Sequence, residues 1–249
     1  MKPKGFVLYR GPSLFDGSPI VVIATTSSRN AKTSDMLQTW VLREDIAPTE
    51  AVRTGADATI CGDCVYRNGN GCYVTVMRAP LAIWRAYHRG RYADIAGDLA
   101  AIERLGDGRT VRLGAYGDPV ACPEEIWQAL TAKSSAHTGY THAWRVAPRA
   151  FRSLVMASCD TPRDRDAAQL RGYRTFRVNV DGTRQRGEMT CPASAEAGHR
   201  TSCADCHACD GARGEGLSTK DVTIRLHGFT AKRAVAAVSR KLEIGRAHV

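Results

Sequence analysis

The stretch TVRLGAYGDPVACPEEIWQAL, residues 110–130, contains the pattern that decides the fold prediction. TVRLGAY is largely apolar and suits a strand, whereas PEEIWQAL has apolar residues at helical spacing behind a proline and two acidic residues. The polar turn GDP stands between the two. The stretch therefore predicts a strand followed by a helix, which is the repeating unit of an α/β fold.

The same alternation extends over most of the chain. Six strands that share the pattern are predicted at residues 36–42, 110–116, 140–144, 154–160, 174–180 and 222–228. The helices are predicted at residues 80–92, 95–105, 123–135, 148–154, 163–172 and 230–242. Six such units suit either a doubly wound sheet or a partial barrel. We predict the α/β class and, within it, a partial (β/α)6 TIM-like barrel.

The ends of the chain and one internal segment are expected to depart from this pattern. Residues 1–34 contain two apolar runs between turn residues and predict an N-terminal β-hairpin or meander. The barrel is assigned to residues 35–243, with a cysteine-rich insertion at 185–218. The terminal EIGRAHV resembles the translation of a sequencing adaptor, so residues 244–249 are expected to be foreign to the natural protein.

Composition narrows the class of protein. The N-terminus lacks the apolar segment of a secretory signal and no run approaches eighteen apolar residues, so a cytoplasmic protein without a membrane partner is expected. Nine cysteines in a reducing compartment favour metal binding or catalysis over disulfides. The formal charge of +10 suits a polyanionic partner such as nucleic acid. Neither a nucleophile elbow nor a nucleotide-binding glycine motif occurs in the sequence.

The first cysteine group lies in ICGDCVYRNGNGCY, residues 60–73, where Cys61, Cys64 and Cys72 have the spacing C-x2-C-x7-C. Cysteines two residues apart can hold one metal between them, and the glycines allow the backbone to return with the third. Three thiolates suit a 4Fe-4S cluster with one open iron. They also suit zinc with a histidine or a distant cysteine as the fourth ligand.

The second group can close a site with its own ligands. Its spacing of C-x2-C-x2-C with one upstream cysteine favours a second iron-sulfur cluster, and zinc is the alternative. Its members are Cys191, Cys203, Cys206 and Cys209. The two isolated cysteines, Cys122 and Cys159, are predicted to be small buried apolar residues.

Polar residues end the predicted strands. Because the carboxyl ends of parallel strands meet at one edge of a sheet, where α/β proteins place their sites, we expect these side chains to share one site. They are Asp118, His142, Ser158, Asp160, Asn179 and His227. Of these, Asp118, Ser158 and Asp160 are the predicted catalytic residues.

The order of a strand, a three-cysteine loop, a helix and five further strand-helix units resembles the radical S-adenosylmethionine superfamily. The resemblance implies that Cys61, Cys64 and Cys72 bind a 4Fe-4S cluster whose fourth iron is held by the amino and carboxylate groups of S-adenosylmethionine. The family's usual spacing is C-x3-C-x2-C. The spacing here is similar instead to loops of uncharacterised phage and actinobacterial cysteine-rich proteins.

The resemblance also assigns cofactor contacts. Tyr73 follows Cys72 where an aromatic residue is usual in the family. The GDP turn, with Gly117 and Asp118, resembles the family's Gly-Gly-Glu element, which implies that Asp118 bonds the methionine ammonium. Ribose, methionine and adenine contacts are implied for Ser158, Asn179 and His227.

The implied activity is reductive cleavage of S-adenosylmethionine, after which a deoxyadenosyl radical takes hydrogen from an unknown substrate. An electron donor such as flavodoxin or ferredoxin is implied as a partner, and the four-cysteine group is expected to hold an auxiliary cluster. The alternative is a phage-type nucleic-acid-binding protein without catalysis, in which zinc ions or clusters bound by the cysteines stabilise the fold. The positive charge and the interleaved aromatic and arginine residues of WRAYHRGRY, residues 84–92, favour this alternative.

Overall fold

The computed structural model of the protein describes residues 4–26, 33, 35–212, 220–227 and 230–247. The strands of this part are β1 Gly5–Pro12, β2 Pro19–Thr25, β3 Leu37–Arg43, β4 Ala93–Asp94, β5 Thr110–Tyr116, β6 Ala136–Thr141, β7 Met156–Cys159, β8 Thr175–Asn179, β9 Glu188–Thr190 and β10 Asp221–Arg225. The helices are α1 Pro48–Thr54, α2 Ala58–Cys61, α3 Ala79–His88, α4 Leu99–Gly106, α5 Glu124–Thr131, α6 Phe151–Leu154, α7 Pro162–Leu170, α8 Cys203–Cys206 and α9 Ala231–Ala247.

The strands of the described residues form one mixed sheet in the order β4-β1-β2-β3-β5-β6-β7-β8-β10-β9. The strands β1, β2 and β3 form an antiparallel meander. From β3 onward the neighbours β5, β6, β7, β8 and β10 are parallel and follow one another in chain order. The sheet is open, with β4 and β9 at its edges in the part that the structure describes. The predicted α/β class is confirmed.

All six predicted parallel strands are present, but the bounds predicted for the third are wrong. That strand begins at Ala136 and ends at Thr141, so His142 and Trp144 follow it. Its sequence AHTGYT begins with the weak strand former Ala136 and is interrupted by Gly139, and pairing with β5 and β7 on its two sides decides its position. The short strands β4 and β9 were not expected, because two or three residues carry no periodic signal. Residues 1–3, 27–32 and 34 of the predicted meander, 213–218 of the predicted insertion, 228 of the last predicted strand and 248–249 of the terminal segment lie outside the described residues.

The main core lies between the sheet and the helices α4 and α5. All of the residues from Ile20 to Ala24 in β2 are fully buried. Asp98 begins α4 by accepting a hydrogen bond from Ala101 N at 2.9 Å, and the acidic first turn of α5 suits the positive end of its helix dipole. The buried residues of the two helices are Ile102, Leu105, Gly106, Ile126, Trp127 and Leu130.

Cys122 and Cys159 are both fully buried, as predicted. In the described part of the chain, no helix combines the length and the apolar character needed to cross a membrane.

Candidate metal centres

The three-cysteine loop follows the short helix α2, which ends at Cys61. Cys64 N donates to Cys61 O at 3.2 Å and Cys72 N donates to Tyr66 O at 3.0 Å, so the chain turns back on itself twice. The buried carboxylate of Asp57 accepts a hydrogen bond from Asn68 N at 2.6 Å and fixes the middle of the loop. These bonds bring together the three cysteines that the sequence separates by two and seven residues.

The C-terminal helix α9 covers this loop. Ala234 and Val238 of α9 form a small apolar cluster with Tyr66, against which Cys64 and Cys72 pack. The loop and the helix are therefore in direct contact although they are far apart in the sequence.

The thiols of the loop interact with one another. Burial raises the pKa of Cys61 well above its ordinary value, and the nearby Cys64 and Cys72 raise it further. Burial likewise raises the pKa of Cys72 to about 11, with a further contribution from Cys64. The thiols of Cys61 and Cys72 are thus disfavoured as thiolates in the metal-free protein, and a bound cation would stabilise their thiolate forms.

His142 lies between this loop and Asp160. Its Nε2 atom is 3.6 Å from Asp160 Oδ1, and its ring meets the ring of Tyr66 edge to face at 5.7 Å. Burial alone would lower the pKa of His142, but Cys64 and Asp160 raise it well above its ordinary value. His142 is therefore an imidazole that interacts with both the Cys64 thiol and the buried carboxylate of Asp160.

Asp118 connects the loop to the strand ends. Its backbone N donates to Ile60 O at 2.6 Å, directly before Cys61. Its carboxylate accepts hydrogen bonds from Val120 N at 3.0 Å, Thr141 Oγ1 at 3.0 Å and His142 N at 2.8 Å. Burial raises the pKa of Asp118. The residue thus positions Cys61 and His142 relative to each other.

The second group surrounds a separate cavity of about 20 Å3. All four thiols line it, together with Thr138, Tyr140 and Val222. The cysteines are Cys191, Cys203, Cys206 and Cys209. Burial raises the pKa of Cys209 to about 12, with a hydrogen bond from Tyr140 opposing the shift and the other three cysteines adding to it.

The sheet anchors both ends of this cysteine-rich segment. Cys191 N donates to Thr223 O at 2.8 Å, and Gly139 N donates to Cys209 O at 3.1 Å. The buried guanidinium of Arg174 donates to Asp210 Oδ1 at 2.9 Å and to the carbonyl groups of Ala208, Gly211 and Lys220 at 2.8 to 2.9 Å. Hydrogen bonds within the protein therefore hold the insertion against β6, β10 and the start of β8, independently of any metal.

The cysteine side chains of both groups have the chemical character of metal ligands. None of the nine cysteines, all of which are described, forms a disulfide bond. Within the described residues, no three Cys, His, Asp or Glu side chains already have the arrangement of a metal-ligand set. The donors nevertheless suit a thiophilic metal, since four thiols face one small cavity. The buried hydroxyl of Thr138 lines that cavity without a hydrogen-bond partner.

The other predicted site residues lie in different surroundings. Tyr73 is 70% exposed and accepts a hydrogen bond from Arg112 Nη2 at 2.8 Å. Gly117 has a φ of +76° and approaches β3 so closely that a Cβ atom would lie 2.6 Å from Val41 O. Ser158 is buried on β7, and its carbonyl accepts a hydrogen bond from Trp144 Nε1 at 3.2 Å.

Asn179 and His227 are not brought into contact with the three-cysteine loop by any interaction of the described residues. Asn179 Nδ2 donates to Thr223 Oγ1 at 2.7 Å and its Oδ1 accepts from Gly182 N at 2.8 Å, so this side chain closes the end of β8. His227 is exposed and interacts electrostatically with Glu196.

The aromatic residues of α3 face the protein. Trp84 Nε1 donates to Arg43 O at 3.0 Å and Tyr87 Oη donates to Glu44 Oε1 at 2.5 Å. A groove of about 460 Å3 lies beside Tyr87, and no cysteine lines it. Arg10, which lines it, is paired with Asp94 at 2.7 Å. The polar atoms of Trp84 and Tyr87 are therefore bonded to the protein, and both side chains are partly buried.

Sequence reasoning did not assign a role to Arg112, Tyr140 or Arg174, and it placed His142 only as one of several polar strand ends. The sequence pattern does single out Arg112, because it is a charged residue between Val111 and Leu113 in an otherwise apolar strand. No sequence pattern indicates the role of Arg174, since its partners include backbone carbonyl groups that only the folded insertion brings near.

Comparisons with protein-family models, with curated proteins and with solved structures found no match to this chain. Function must therefore be inferred from the residues described above.

Proposed function

We propose that the protein is an iron-sulfur enzyme of the radical S-adenosylmethionine type, with an open cluster on Cys61, Cys64 and Cys72 and an auxiliary cluster on the four-cysteine group. The substrate is not specified by these residues. A partial (β/α)6 barrel is part of the proposal. It is supported by the chain-order succession of β3, β5, β6, β7, β8 and β10 as parallel neighbours.

One observation carries the proposal. Three thiols, and not four, lie in mutual electrostatic contact in the loop that follows the first parallel strand. The four other clustered cysteines surround a cavity of their own. The three-cysteine group is therefore left with a coordination position that a cofactor can fill.

The chain's own residues would position this cofactor. A cluster bound to the three thiols would supply the electron that cleaves S-adenosylmethionine. Asp118 accepts three hydrogen bonds, and an ionised carboxylate has about four acceptor positions, so one remains for the methionine ammonium. Burial of the surrounding loop by α9 would exclude water from the site.

The first test is the metal content of protein purified without oxygen. Wild-type protein should contain about eight irons and eight sulfides, the amount for two 4Fe-4S clusters. Cys64→Ala and Cys206→Ala should each retain about four irons, because each removes one cluster. Cys122→Ala, which removes an isolated buried thiol, is the matched control and should retain all of the iron.

The second test separates the two sites by electron paramagnetic resonance of the reduced protein. Adding S-adenosylmethionine should change the spectrum of wild-type protein and of Cys206→Ala but not that of Cys64→Ala. Two zinc ions and no iron in wild-type protein would refute the enzyme proposal.

A second candidate is supported by the position of His142. A zinc ion bound by Cys61, Cys64 and Cys72 would find its fourth ligand in this imidazole, and Asp160 would orient the ring from behind. The site would then be structural and closed. This candidate corresponds to the nucleic-acid-binding protein whose fold is stabilised by bound metal.

The variant His142→Ala distinguishes the two candidates. A zinc-stapled protein should lose one of its two zinc ions, because three thiolates alone bind zinc more weakly. The iron-sulfur enzyme should retain about eight irons. His88→Ala, which removes an exposed imidazole on α3, should leave the metal content unchanged in both cases.

A further inference from the structure

The side chain of Arg112 contacts one residue beside each cysteine group, Tyr73 at the first and Tyr140 at the second. It extends from β5, and its Nη2 atom donates a 2.8 Å hydrogen bond to the hydroxyl of Tyr73. Tyr73 follows Cys72 directly in the chain. One end of the guanidinium is thus tied to the loop that carries the first group.

The other side of the guanidinium faces the second group. Its central carbon is 5.9 Å from the centroid of the Tyr140 ring. Tyr140 lines the cavity of the four thiols, hydrogen-bonds Cys209 and packs against Phe176 with 4.6 Å between ring centroids. Cys203 also interacts electrostatically with Arg112.

This position has a consequence for metal binding. Metal-bound thiolates carry net negative charge, and each group must lose its thiol protons to bind a metal. A fixed, half-buried cation lowers the cost of that charge at both groups, because the interaction is only partly screened by water. Arginine suits this role because it remains protonated in proteins. Its planar guanidinium can donate hydrogen bonds and stack on an aromatic ring at the same time.

We propose that Arg112 is a shared counter-ion that supports metal binding at both cysteine groups. This inference rests on the part of the proposed function that assigns metal to both groups, and it holds for iron or zinc. Arg112 acts here as a positioning residue through its charge and its contacts with Tyr73 and Tyr140.

The test measures Zn2+ affinity at each group by competition with a chromophoric chelator, with full-length protein kept reduced and free of oxygen. Cys206→Ala isolates the first group and Cys64→Ala isolates the second. In both backgrounds, Arg112→Gln should weaken Zn2+ binding roughly tenfold, the effect of one nearby charge at partial screening. Arg112→Lys retains the charge and should stay within about threefold of the parent.

A second readout uses the iron-loaded protein. Loss of the positive charge should make the reduction potential of both clusters more negative in Arg112→Gln, whereas Arg112→Lys should restore much of the difference. A purely structural role would affect Lys and Gln variants alike. Circular dichroism of each variant confirms that the fold is retained, and Tyr140→Phe provides a milder variant that removes only the hydroxyl that bonds Cys209.

Three outcomes would overturn the inference. They are an effect of Arg112→Gln on one group only, no effect on either group, and equal losses in the Gln and Lys variants. Each of these leaves the iron-sulfur proposal standing if iron is bound. Conversely, native protein that holds only zinc refutes the enzyme while a charge-dependent effect at both groups still supports the role of Arg112.

Discussion

At the scale of single residues, the GDP turn shows how one short motif combines backbone and side-chain roles. Gly117 allows the chain to pass within contact distance of Val41, and the next residue, Asp118, bonds the ends of α2 and β6. The turn was predicted as a cofactor-binding element. Its described contacts show that it also holds the neighbouring strand ends together.

Gly117→Ala should destabilise the protein by roughly 3 kcal/mol, because the new Cβ would meet Val41 O at 2.6 Å at a φ that favours glycine. Gly17→Ala is the matched control, since Gly17 has the same φ of +76° but nothing within 4 Å of the added atom. Its cost should be only about 1 kcal/mol. Urea unfolding measures both, and equal costs would show that the close approach is unimportant.

The buried pair Arg177 and Glu188 predicts a dependence of stability on pH. Arg177 donates to both carboxylate oxygens at 2.7 and 2.8 Å. Burial alone would raise the pKa of Glu188, but the bonds from Arg177 and Gln185 lower it below its ordinary value. The carboxylate therefore stabilises the fold at pH values above about 4.3 and loses this effect as the pH falls through the lowered pKa.

Glu188→Gln should accordingly reduce the free energy of unfolding by about 3 kcal/mol near pH 7, with a smaller difference near pH 3. Urea unfolding of both proteins across this range provides the measurement. A difference that stays constant with pH would contradict the ionic character of the pair.

At the scale of elements, the end of the cysteine-rich insertion is held by Arg174, the residue directly before β8. Arg174 bonds three carbonyl groups and one carboxylate that flank the end of the cysteine segment. These carbonyl groups are part of an irregular segment, where strand partners cannot satisfy them. The insertion therefore has a protein anchor in addition to any metal.

Arg174→Met should loosen the insertion while leaving the sheet intact. Amide hydrogen exchange of the segment around Cys203–Cys206 should become at least tenfold faster, because the lost bonds leave buried carbonyl groups unpaired. Arg171→Met, which removes one bond at an exposed position, is the control and should leave exchange unchanged. Equal exchange in the two variants would show that Arg174 is not an anchor.

At the scale of the whole molecule, the parallel strands bring two distant cysteine groups to neighbouring positions. Arg112 and Tyr140 come from adjacent strands, β5 and β6, and connect the loop at Cys72 with the insertion at Cys209. The N-terminal meander extends the same sheet away from both groups. Both cysteine groups are therefore associated with the parallel half of the sheet.

The net charge of +10 predicts a weak, salt-dependent attraction to polyanions. Binding to a single-stranded oligonucleotide should weaken at least about tenfold between 50 and 200 mM salt, since it would rest on phosphate contacts. Fluorescence anisotropy at several salt concentrations measures this. Tight, salt-dependent binding that also depends on sequence would favour the nucleic-acid-binding candidate over the enzyme, whereas absent or salt-insensitive binding would count against that candidate.

The sequence alone was sufficient to predict the α/β class, the presence of six parallel strands and the grouping of seven cysteines, because hydrophobic periodicity and short-range ligand spacing are local properties. Local patterns did not give the bounds of β6, because its residues are held as a strand by tertiary pairing with both neighbours, β5 and β7. The isolated cysteines were also predicted correctly as buried residues.

Only the tertiary structure could place His142 beside Cys64, tie Arg174 to the insertion and bring Arg112 into contact with both Tyr73 and Tyr140. Each of these contacts joins residues that are distant in the chain, and its energy depends on burial that no local pattern encodes. The C-x2-C-x7-C spacing predicts that three thiols meet. The fold decides which side chains meet them: an imidazole backed by a carboxylate at one group and a shared guanidinium toward the other.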